Sequence, residues 1–257
     1  MFSYIGICDF PNGDQSLRSA RYFKELCASQ KMDNFQLMIG VMMSYKTMTG
    51  LESKWTSVWP KKEEMADIFV DHPRAMNTLH YADYDCNTSL SHLIEAVEWG
   101  GPRLHAIQLD MIWPPDVIVK GLKRKFPNLR VVLQINANAL EMVGNDPAIL
   151  VEWIKKYDGS LDYVLLDKSH GKGVRMDAEV LLPFARAIAD KLPNIGLAAA
   201  GGLGPSTVYL AEPLIREFPT ISLDMQGKLR PSGNAMDPID WSMAHTALLL
   251  AVAMYLK

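Results

Sequence analysis

The chain has 257 residues, of which 49% are hydrophobic and 21% charged, and its formal net charge is −3. This composition is that of an ordinary globular protein and excludes a disordered or fibrous chain. The basic residues are spread along the chain, so nucleic acid is not an expected partner. Cys8, Cys27 and Cys86 are odd in number and lack CxxC spacing, which argues against disulfides and structural zinc and favours a reducing, cytoplasmic setting.

Neither terminus carries a pattern for export or membrane insertion. The first residues lack a basic segment followed by a long apolar one, so no signal peptide is expected. The longest apolar run, residues 246–256, is shorter than the ~20 residues that cross a bilayer. A helix predicted over residues 238–256 is apolar nearly all round after Trp241, so one side should cover the core and the rest makes a homodimer a candidate assembly.

Short apolar segments alternate with longer amphipathic patterns along the whole chain. The predicted strands are nearly all apolar, as strands buried on both faces should be; they are residues 4–8, 36–43, 75–80, 104–109, 130–135, 163–167, 195–200 and 220–224. Helical spacing of apolar residues occurs between them, at residues 16–30, 61–70, 89–99, 178–192 and 206–218.

Eight strand and helix pairs in roughly 250 residues predict a single (βα)8 TIM barrel over residues 1–257. A doubly wound open sheet has the same alternation, but no GxGxxG follows the first strand, where a dinucleotide fold would carry it. No linker or low-complexity segment divides the chain.

In such a barrel the strand ends and the loops after them form the active face. The polar or glycine residues predicted there are Cys8, Ser44, Lys46, His80, Asp83, Gln108, Asp110, Gln134, Asn136, Asp167, Lys168, Gly201, Gly202, Asp224 and Gln226. The loop after the third strand also holds Asp85 and Cys86, but the spacing of these groups matches no standard ligand pattern, so a solvated polar loop is favoured and no metal is predicted.

The segment from Ala198 to Val208 leaves the seventh strand through Gly201 and Gly202. Paired glycines let the backbone approach a ligand, and the free N–H groups at the start of a following helix bind anions. Phosphate is therefore the expected ligand. A tight turn with Ser206 as the helix N-cap is compatible with the same residues.

Three segments carry the resemblance of this chain to a known family. They are Ile7-Cys8; Leu165-Leu166-Asp167 with Gly171-Lys172-Gly173 and Met176-Asp177; and Ala200-Gly201-Gly202-Leu203 with Pro205. They resemble the motifs of phosphoribosylanthranilate isomerase of tryptophan biosynthesis, a ribulose-phosphate-binding TIM barrel. The likeness is clearest in the second half of the chain.

The resemblance implies an Amadori rearrangement that needs one general acid, one general base and neither metal nor cofactor. It makes Cys8 the expected base and Asp167 the expected acid. The substrate would be a small phosphorylated or carboxylated metabolite, and its expected contacts are Lys46, Gln108, Lys168, Gly171, Gly173, Gly201, Gly202, Ser206 and Asp224.

Departures from the family pattern leave other functions open. Asp9 replaces a glycine, and a carboxylate beside Cys8 discourages thiolate formation. Asp224 occupies the expected phosphate loop and would repel a phosphate unless Lys228 or Arg230 offsets its charge. Lys46 stands where the family tends to have an arginine, so it offers charge without a bidentate fork.

Two alternatives therefore stand beside the isomerase. One is an aldolase or lyase that uses Lys168 as a Schiff base, although strand alternation points Lys168 away from the barrel if Asp167 points in. The other is a binding paralogue that kept the pocket and lost the chemistry. Fold alone does not choose among the three.

Overall fold

A computed structural model describes residues 2–30, 32–168 and 175–256. Eight parallel strands, each paired with the next and the last with the first, form a closed barrel. They are β1 (Ser3–Cys8), β2 (Phe35–Ser44), β3 (Ala75–Asp83), β4 (Ala106–Met111), β5 (Arg130–Asn136), β6 (Tyr163–Asp167), β7 (Gly196–Ala200) and β8 (Ser222–Met225). The predicted (βα)8 TIM barrel is confirmed, with every strand within a few residues of its expected place.

Helices surround the barrel. The α-helices of the described residues are α1 (Gly13–Gln30), α2 (Tyr45–Met48), α3 (Met65–Ile68), α4 (Leu90–Gly100), α5 (Asp116–Lys125), α6 (Ala137–Met142), α7 (Pro147–Lys155), α8 (Ala178–Lys191), α9 (Glu212–Glu217) and α10 (Trp241–Met254). Short 3-10 turns cover Lys62–Glu64, Val208–Ala211 and Gly227–Leu229.

Two predicted helices are wrong in extent. The segment 61–70 forms a 3-10 turn and the four-residue α3, and the segment 206–218 forms a 3-10 turn and the six-residue α9. Pro213 interrupts the second segment, and a proline donates no backbone hydrogen bond to a preceding turn. Apolar spacing is satisfied by buried residues such as Val208 and Leu214 without a continuous helix.

Strand alternation divides the apolar core into two layers. Side chains such as Ile5 and Leu79 face the surrounding helices, whereas the alternate residues, among them Tyr4, Met38 and Tyr163, fill the barrel interior. The rings of Tyr4 and Tyr163 meet edge to face, 5.4 Å apart. The barrel is therefore a packed core at this end, and only its carboxyl end is free to form a site.

The terminal helix α10 packs on the barrel through residues such as Ala244, Ala247 and Leu248. Leu249 and Leu250 on the same helix stay exposed, and a second subunit against them stays a prediction. Across residues 2–30, 32–168 and 175–256, no helix combines the length and apolar character needed to cross a membrane.

Candidate functional site

Polar side chains converge at the carboxyl end of the barrel interior, where the active face was predicted. All are buried and come from the inward positions of six strands: Cys8 on β1, His80 on β3, Gln108 and Asp110 on β4, Gln134 on β5, Asp167 on β6 and Asp224 on β8. Each of these residues was predicted from the sequence to lie at a strand end. Alternation explains their convergence, because each occupies the inward parity of its strand.

Cys8, His80 and Asp224 form a compact group. The Cys8 thiol donates to Asp224 Oδ1 at 3.4 Å, and its sulfur lies 3.5 Å from His80 Nδ1. Gln108 Nε2 shares its two hydrogens among three acceptors, of which His80 Nδ1 lies at 3.3 Å and Asp224 Oδ2 at 3.2 Å. Since Nδ1 accepts in this network, the imidazole proton is assigned to Nε2, which faces Asp110 Oδ2 at 3.5 Å.

Two amides connect this group to Asp167. Gln108 Nε2 donates to Gln134 Oε1 at 2.9 Å, and Gln134 Nε2 donates to Asp167 Oδ2 at 3.1 Å. A continuous hydrogen-bonded path therefore runs across the barrel floor from Cys8 and Asp224 to Asp167. It joins the two residues that the sequence predicted to be catalytic, Cys8 and Asp167.

Burial and neighbouring charges shift the protonation of the group. Burial, then the Asp224 and Asp9 carboxylates, raise the pKa of Cys8 well above its usual value. Burial also raises the pKa of Asp224, against the lowering effect of His80, Gln108 and Cys8. For His80, burial lowers the pKa, but the Asp110 and Asp224 carboxylates outweigh it and the net pKa is raised. The thiol is thus held in its neutral form, which opposes the predicted use of Cys8 as a base.

Asp9, the residue beside Cys8, is engaged elsewhere. Its backbone adopts a left-handed conformation with φ of 76°. Its Oδ2 lies 2.6 Å from Arg230 Nη2, and Gln226 Nε2 donates to it at 2.9 Å. Arg230 therefore balances the charge of Asp9 and not that of Asp224. The sequence had raised Arg230, together with Lys228, as a residue that could offset Asp224.

Above the floor lies a cavity of about 710 Å³ that opens at the carboxyl end of the strands. One wall is aromatic: the rings of Trp55 and Trp59 stack at 4.8 Å with planes 7° apart. Trp59 Nε1 is buried without a hydrogen-bond partner among the described residues. Tyr84 covers the floor from the other side, and its hydroxyl donates to Asp110.

Acidic groups dominate the described lining of this cavity. Six carboxylates line it, against two lysines and His80; the carboxylates are Glu52, Asp83, Asp85, Asp110, Asp167 and Asp224. Of the lysines, Lys46 pairs with Asp85 at 2.9 Å, with both side chains about half exposed, and Lys54 lies over the Trp55 ring. An anion bound here would meet net negative charge from the described residues.

The loop after β7 differs from the expected anion site. Gly201 and Gly202 adopt φ of 129° and 56° and line the cavity, as predicted for a close backbone approach. The chain then forms a turn, and the Thr207 hydroxyl donates to the Gly202 carbonyl at 2.7 Å. Ser206 is exposed and caps no helix, since the 3-10 turn begins at Val208. The predicted helix N-terminus at Ser206 is therefore wrong.

Of the other residues predicted to contact substrate, some lie at the cavity and some do not. Lys46 lines the cavity rim and Gln108 lies in the floor, whereas Lys168 is exposed and absent from the described lining, as alternation with Asp167 requires. Gly171 and Gly173 lie outside the described residues. Substrate binding by these residues stays a prediction.

The loop after β3 does not gather its metal-capable groups. Asp83 accepts from the backbone and hydroxyl of Thr88, each at 2.7 Å, and so folds its own loop. Among the described residues, the only set of three or more His, Cys or acidic ligand atoms in mutual reach is Cys8, His80 and Asp224.

Sequence reasoning missed three features of the site. The Trp55 and Trp59 stack lies in a segment without periodic signal, and the Tyr84 contact depends on loop conformation. His80 was noted as a strand-end residue, but its pairing with Cys8 was not expected. Inward parity at the ends of β1 and β3 was the signal that could have found it.

Comparisons with known proteins bear on the fold. No protein-family model matches this chain, and no curated protein matches it. Among solved structures, the catalytic domain of the hyperthermophilic chitinase from Pyrococcus furiosus is 12% identical, with a TM-score of 0.56 over 99% of this chain and 96% of that chain.

Two further structures are similar at lower scores. An alpha-amylase from Lactobacillus plantarum is 9% identical, with a TM-score of 0.51 over 99% of this chain and 80% of that chain. The YdjI aldolase from Escherichia coli K12 is 11% identical, with a TM-score of 0.48 over 98% of this chain and 89% of that chain. For the chitinase and the amylase, the likeness at these identities shows the fold alone.

Proposed function

We propose that this TIM barrel is an enzyme that transfers protons on a sugar-like substrate, as in the intramolecular isomerisation of an aldose-type compound to a ketose. The observation that carries the proposal is the buried path of hydrogen bonds between Asp224 and Asp167 at the floor of the cavity. Buried carboxylates with environments that shift their protonation are the usual means of general acid and base catalysis.

The proposal assigns the two proton-transfer roles to opposite sides of the floor. Asp224 is the base, because a raised pKa brings a carboxylate closer to working pH and strengthens it as a proton acceptor. Cys8 donates to Asp224 and orients it, in place of acting as the base itself. Asp167 keeps its predicted role as the acid. The intervening strand β7 turns the small side chains of Ala198 and Ala200 inward, which leaves room for a substrate between them.

The chemistry of the reaction follows from these positions. Asp167 gives a proton to the ring or carbonyl oxygen, and Asp224 takes the proton from the adjacent carbon to form an enediol or enaminol. Asp224 then returns its proton to the former carbonyl carbon while Asp167 takes the proton from the hydroxyl or amino group on the carbon that lost hydrogen, which forms the new double bond and restores both side chains. The resembled family, phosphoribosylanthranilate isomerase, carries out the same kind of proton movement on a phosphorylated N-glycoside.

The lining of the cavity favours an unphosphorylated substrate. Among the described residues, six carboxylates against two lysines oppose a phosphate and favour hydroxyl or ammonium groups. The flat Trp55 and Trp59 rings suit the apolar face of a sugar ring, while carboxylate and amide oxygens accept from its hydroxyls. A neutral or amino sugar is therefore the proposed substrate class.

Proton exchange in heavy water tests the proposal across a panel of candidate substrates. The protein is incubated in D2O with aldoses, ketoses, N-acetylhexosamines, N-glycosylamines and N-(5-phosphoribosyl)anthranilate, and NMR follows deuterium entry and product formation. We expect exchange beside the carbonyl carbon of an unphosphorylated sugar, reduced at least ~100-fold in Asp167→Asn and Asp224→Asn.

Each other result has a defined meaning. Turnover of the phosphorylated compound alone would support the resembled family and overturn the substrate class proposed here. Absence of exchange from folded wild-type protein across the whole panel would overturn the isomerase.

Glycoside hydrolysis is a second candidate, favoured by one observation. Asp167 and Asp224 line one cavity beside a tryptophan stack. Most glycosidases catalyse hydrolysis with two carboxyl groups on either side of the sugar. Oligosaccharides incubated under the same NMR conditions test this reaction, which would produce new reducing ends without deuterium at carbon.

A further inference from the structure

The Cys8, His80 and Asp224 group has the composition of a metal site as well as of an acid and base network. A thiolate, an imidazole and a carboxylate are the ligand types that zinc takes from proteins, and catalytic zinc sites use three such ligands with one open position. The three ligand atoms lie within 4.8 Å of one another. We propose that these residues bind one thiophilic divalent cation of the zinc type.

The spacing of the ligand atoms matches the edges of a tetrahedral site. Zinc bonds of ~2.3 Å to sulfur and ~2.0 to 2.2 Å to nitrogen and oxygen put ligand atoms roughly 3.3 to 3.6 Å apart at tetrahedral angles. Cys8 Sγ lies 3.5 Å from His80 Nδ1 and 3.4 Å from Asp224 Oδ1. Two of the three edges therefore have the required length before any ion binds.

Two inward glycines make room for these ligands. A Cβ at Gly40 would lie 2.7 Å from Cys8 Sγ, and a Cβ at Gly6 would lie 2.8 Å from Asp224 Oδ1. Any larger residue at either position would displace a ligand atom. The absence of a side chain at Gly40 and Gly6 thus leaves space for the Cys8 thiol and the Asp224 carboxylate to approach each other.

The imidazole is oriented for ligation through Nδ1. Its Nε2 faces the Asp110 carboxylate at 3.5 Å, and a carboxylate behind a histidine is the common support of a metal-binding imidazole. Nδ1 points its lone pair at Cys8 and accepts from Gln108, an interaction that the ion would replace. Gln108 Oε1 is buried without a hydrogen-bond partner among the described residues, so the amide can turn when that contact is lost.

Charge also favours a cation here. Asp110, Asp167 and Asp224 all lie at the floor of the cavity. The buried Arg230 does not neutralise them, because it is paired with Asp9. Binding would release the thiol proton to solvent and leave a thiolate and a carboxylate to balance the two positive charges. His80 and Asp224 line the cavity, so the open position would face it. With the ion bound, Cys8 and Asp224 would act as ligands, so the base role proposed for Asp224 belongs to the metal-free protein.

Cobalt(II) titration tests the site without reference to turnover. Chelator-treated protein is titrated with Co2+ at neutral pH while the absorption spectrum is recorded. We expect one equivalent to bind with a sulfur-to-cobalt charge-transfer band and the intense visible bands of tetrahedral cobalt, and one equivalent of Zn2+ to displace it.

The cysteines supply matched variants. Cys8→Ser should abolish the charge-transfer band and weaken binding at least ~100-fold, more than the ~10- to 100-fold expected for Asp110→Asn behind the histidine. Cys27→Ser and Cys86→Ser should keep the band. Circular dichroism checks that each variant is folded, and His80→Asn provides a second ligand test if Cys8→Ser is not.

The outcomes separate this site from the proposed function. Folded wild-type protein that binds no stoichiometric cobalt would overturn the metal site and leave the isomerase untouched. A band lost in Cys86→Ser and kept in Cys8→Ser would move binding to the exposed loop and also overturn it. Stoichiometric binding without sugar turnover would support the site alone.

Discussion

The two ends of the barrel interior are built from the same strands and have opposite chemistry. At the amino end, β1 and β6 bring Tyr4 and Tyr163 together in an apolar layer. Further along the same strands, Cys8 and Asp167 belong to a polar floor that is also buried. In each strand, two steps of inward alternation separate the apolar environment from the polar one.

This difference separates stability from chemistry. Burial of apolar side chains stabilises the fold by about 25 cal/mol for each Å² removed from water, so the amino end contributes stability directly. At the carboxyl end, burial disfavours the charged forms, and the raised pKa of Asp224 records that cost. Groups held in this way are frequent at functional sites.

Asp167→Asn should produce the largest effect on activity. The amide keeps the shape of the side chain but cannot donate a proton as an acid, so turnover of the substrate found in the exchange screen should fall by ~10²- to 10⁴-fold. Initial rates under saturating substrate measure the loss. Activity within about twofold of wild type would remove Asp167 from the chemistry.

Arg230→Met should give the largest loss of stability. Arg230 and Asp9 are a buried pair with side chains 1% and 9% exposed, and removal of one partner leaves an uncompensated charge that costs about 3 to 5 kcal/mol. Urea unfolding followed by circular dichroism measures it. The double variant with Asp9→Asn should recover much of the loss; equal stability of single and double variants would contradict the ion-pair account.

Leu165→Ala should destabilise the apolar layer. Leu165 is fully buried inside the barrel, and truncation of such a leucine costs about 2 to 5 kcal/mol through lost burial and the cavity left behind. The free energy of unfolding in urea provides the test. A cost below ~1 kcal/mol would show that this layer repacks and is less important than its burial indicates.

The raised pKa of Asp224 predicts a pH dependence opposite to that of an ordinary paired carboxylate. At pH values above the unfolded pKa of about 4, the folded protein still keeps the Asp224 proton while the unfolded chain has lost it. The free energy of unfolding therefore falls as the pH rises from about 4 through the folded pKa. Unfolding free energies of wild type and Asp224→Asn should therefore diverge in favour of the variant between acidic and neutral pH. A wild type that gains stability relative to the variant over this range would reverse the assigned shift.

Lys46→Gln should have the smallest effect. Its pair with Asp85 has both side chains about half exposed, and exposed pairs contribute about 0 to 1 kcal/mol. Thermal unfolding should shift little, and it should shift less in high salt. A large loss of stability would mean that the cavity rim is more ordered than exposure of this pair indicates.

The sequence was sufficient to predict the barrel and most of its floor. Eight apolar segments specified the strands, and the parity of Asp167 correctly placed Lys168 outside. The position of a residue at a strand end follows from local pattern. The partner of that residue does not follow from local pattern, because Cys8 and His80 are 72 residues apart in the chain and lie on different strands.

The conformations of the loops could not be predicted from the sequence, for physical reasons. Residues 206–218 have helical apolar spacing, yet burial of Val208 and Leu214 is achieved by two short elements. The tryptophan stack follows no period, since Trp55 and Trp59 lie in a loop shaped by local hydrogen bonds of Ser53. The net negative lining of the cavity emerges only when six separated carboxylates are brought together.

The most direct test of the account compares Asp167→Asn with Leu165→Ala, two inward positions of the same strand. Substrate turnover per folded molecule and the free energy of unfolding are measured for both. We expect Asp167→Asn to lose turnover and keep stability within ~1 kcal/mol, whereas Leu165→Ala should lose stability and keep turnover. Parallel losses in both variants would contradict the division of the barrel interior into a stabilising end and a chemical end.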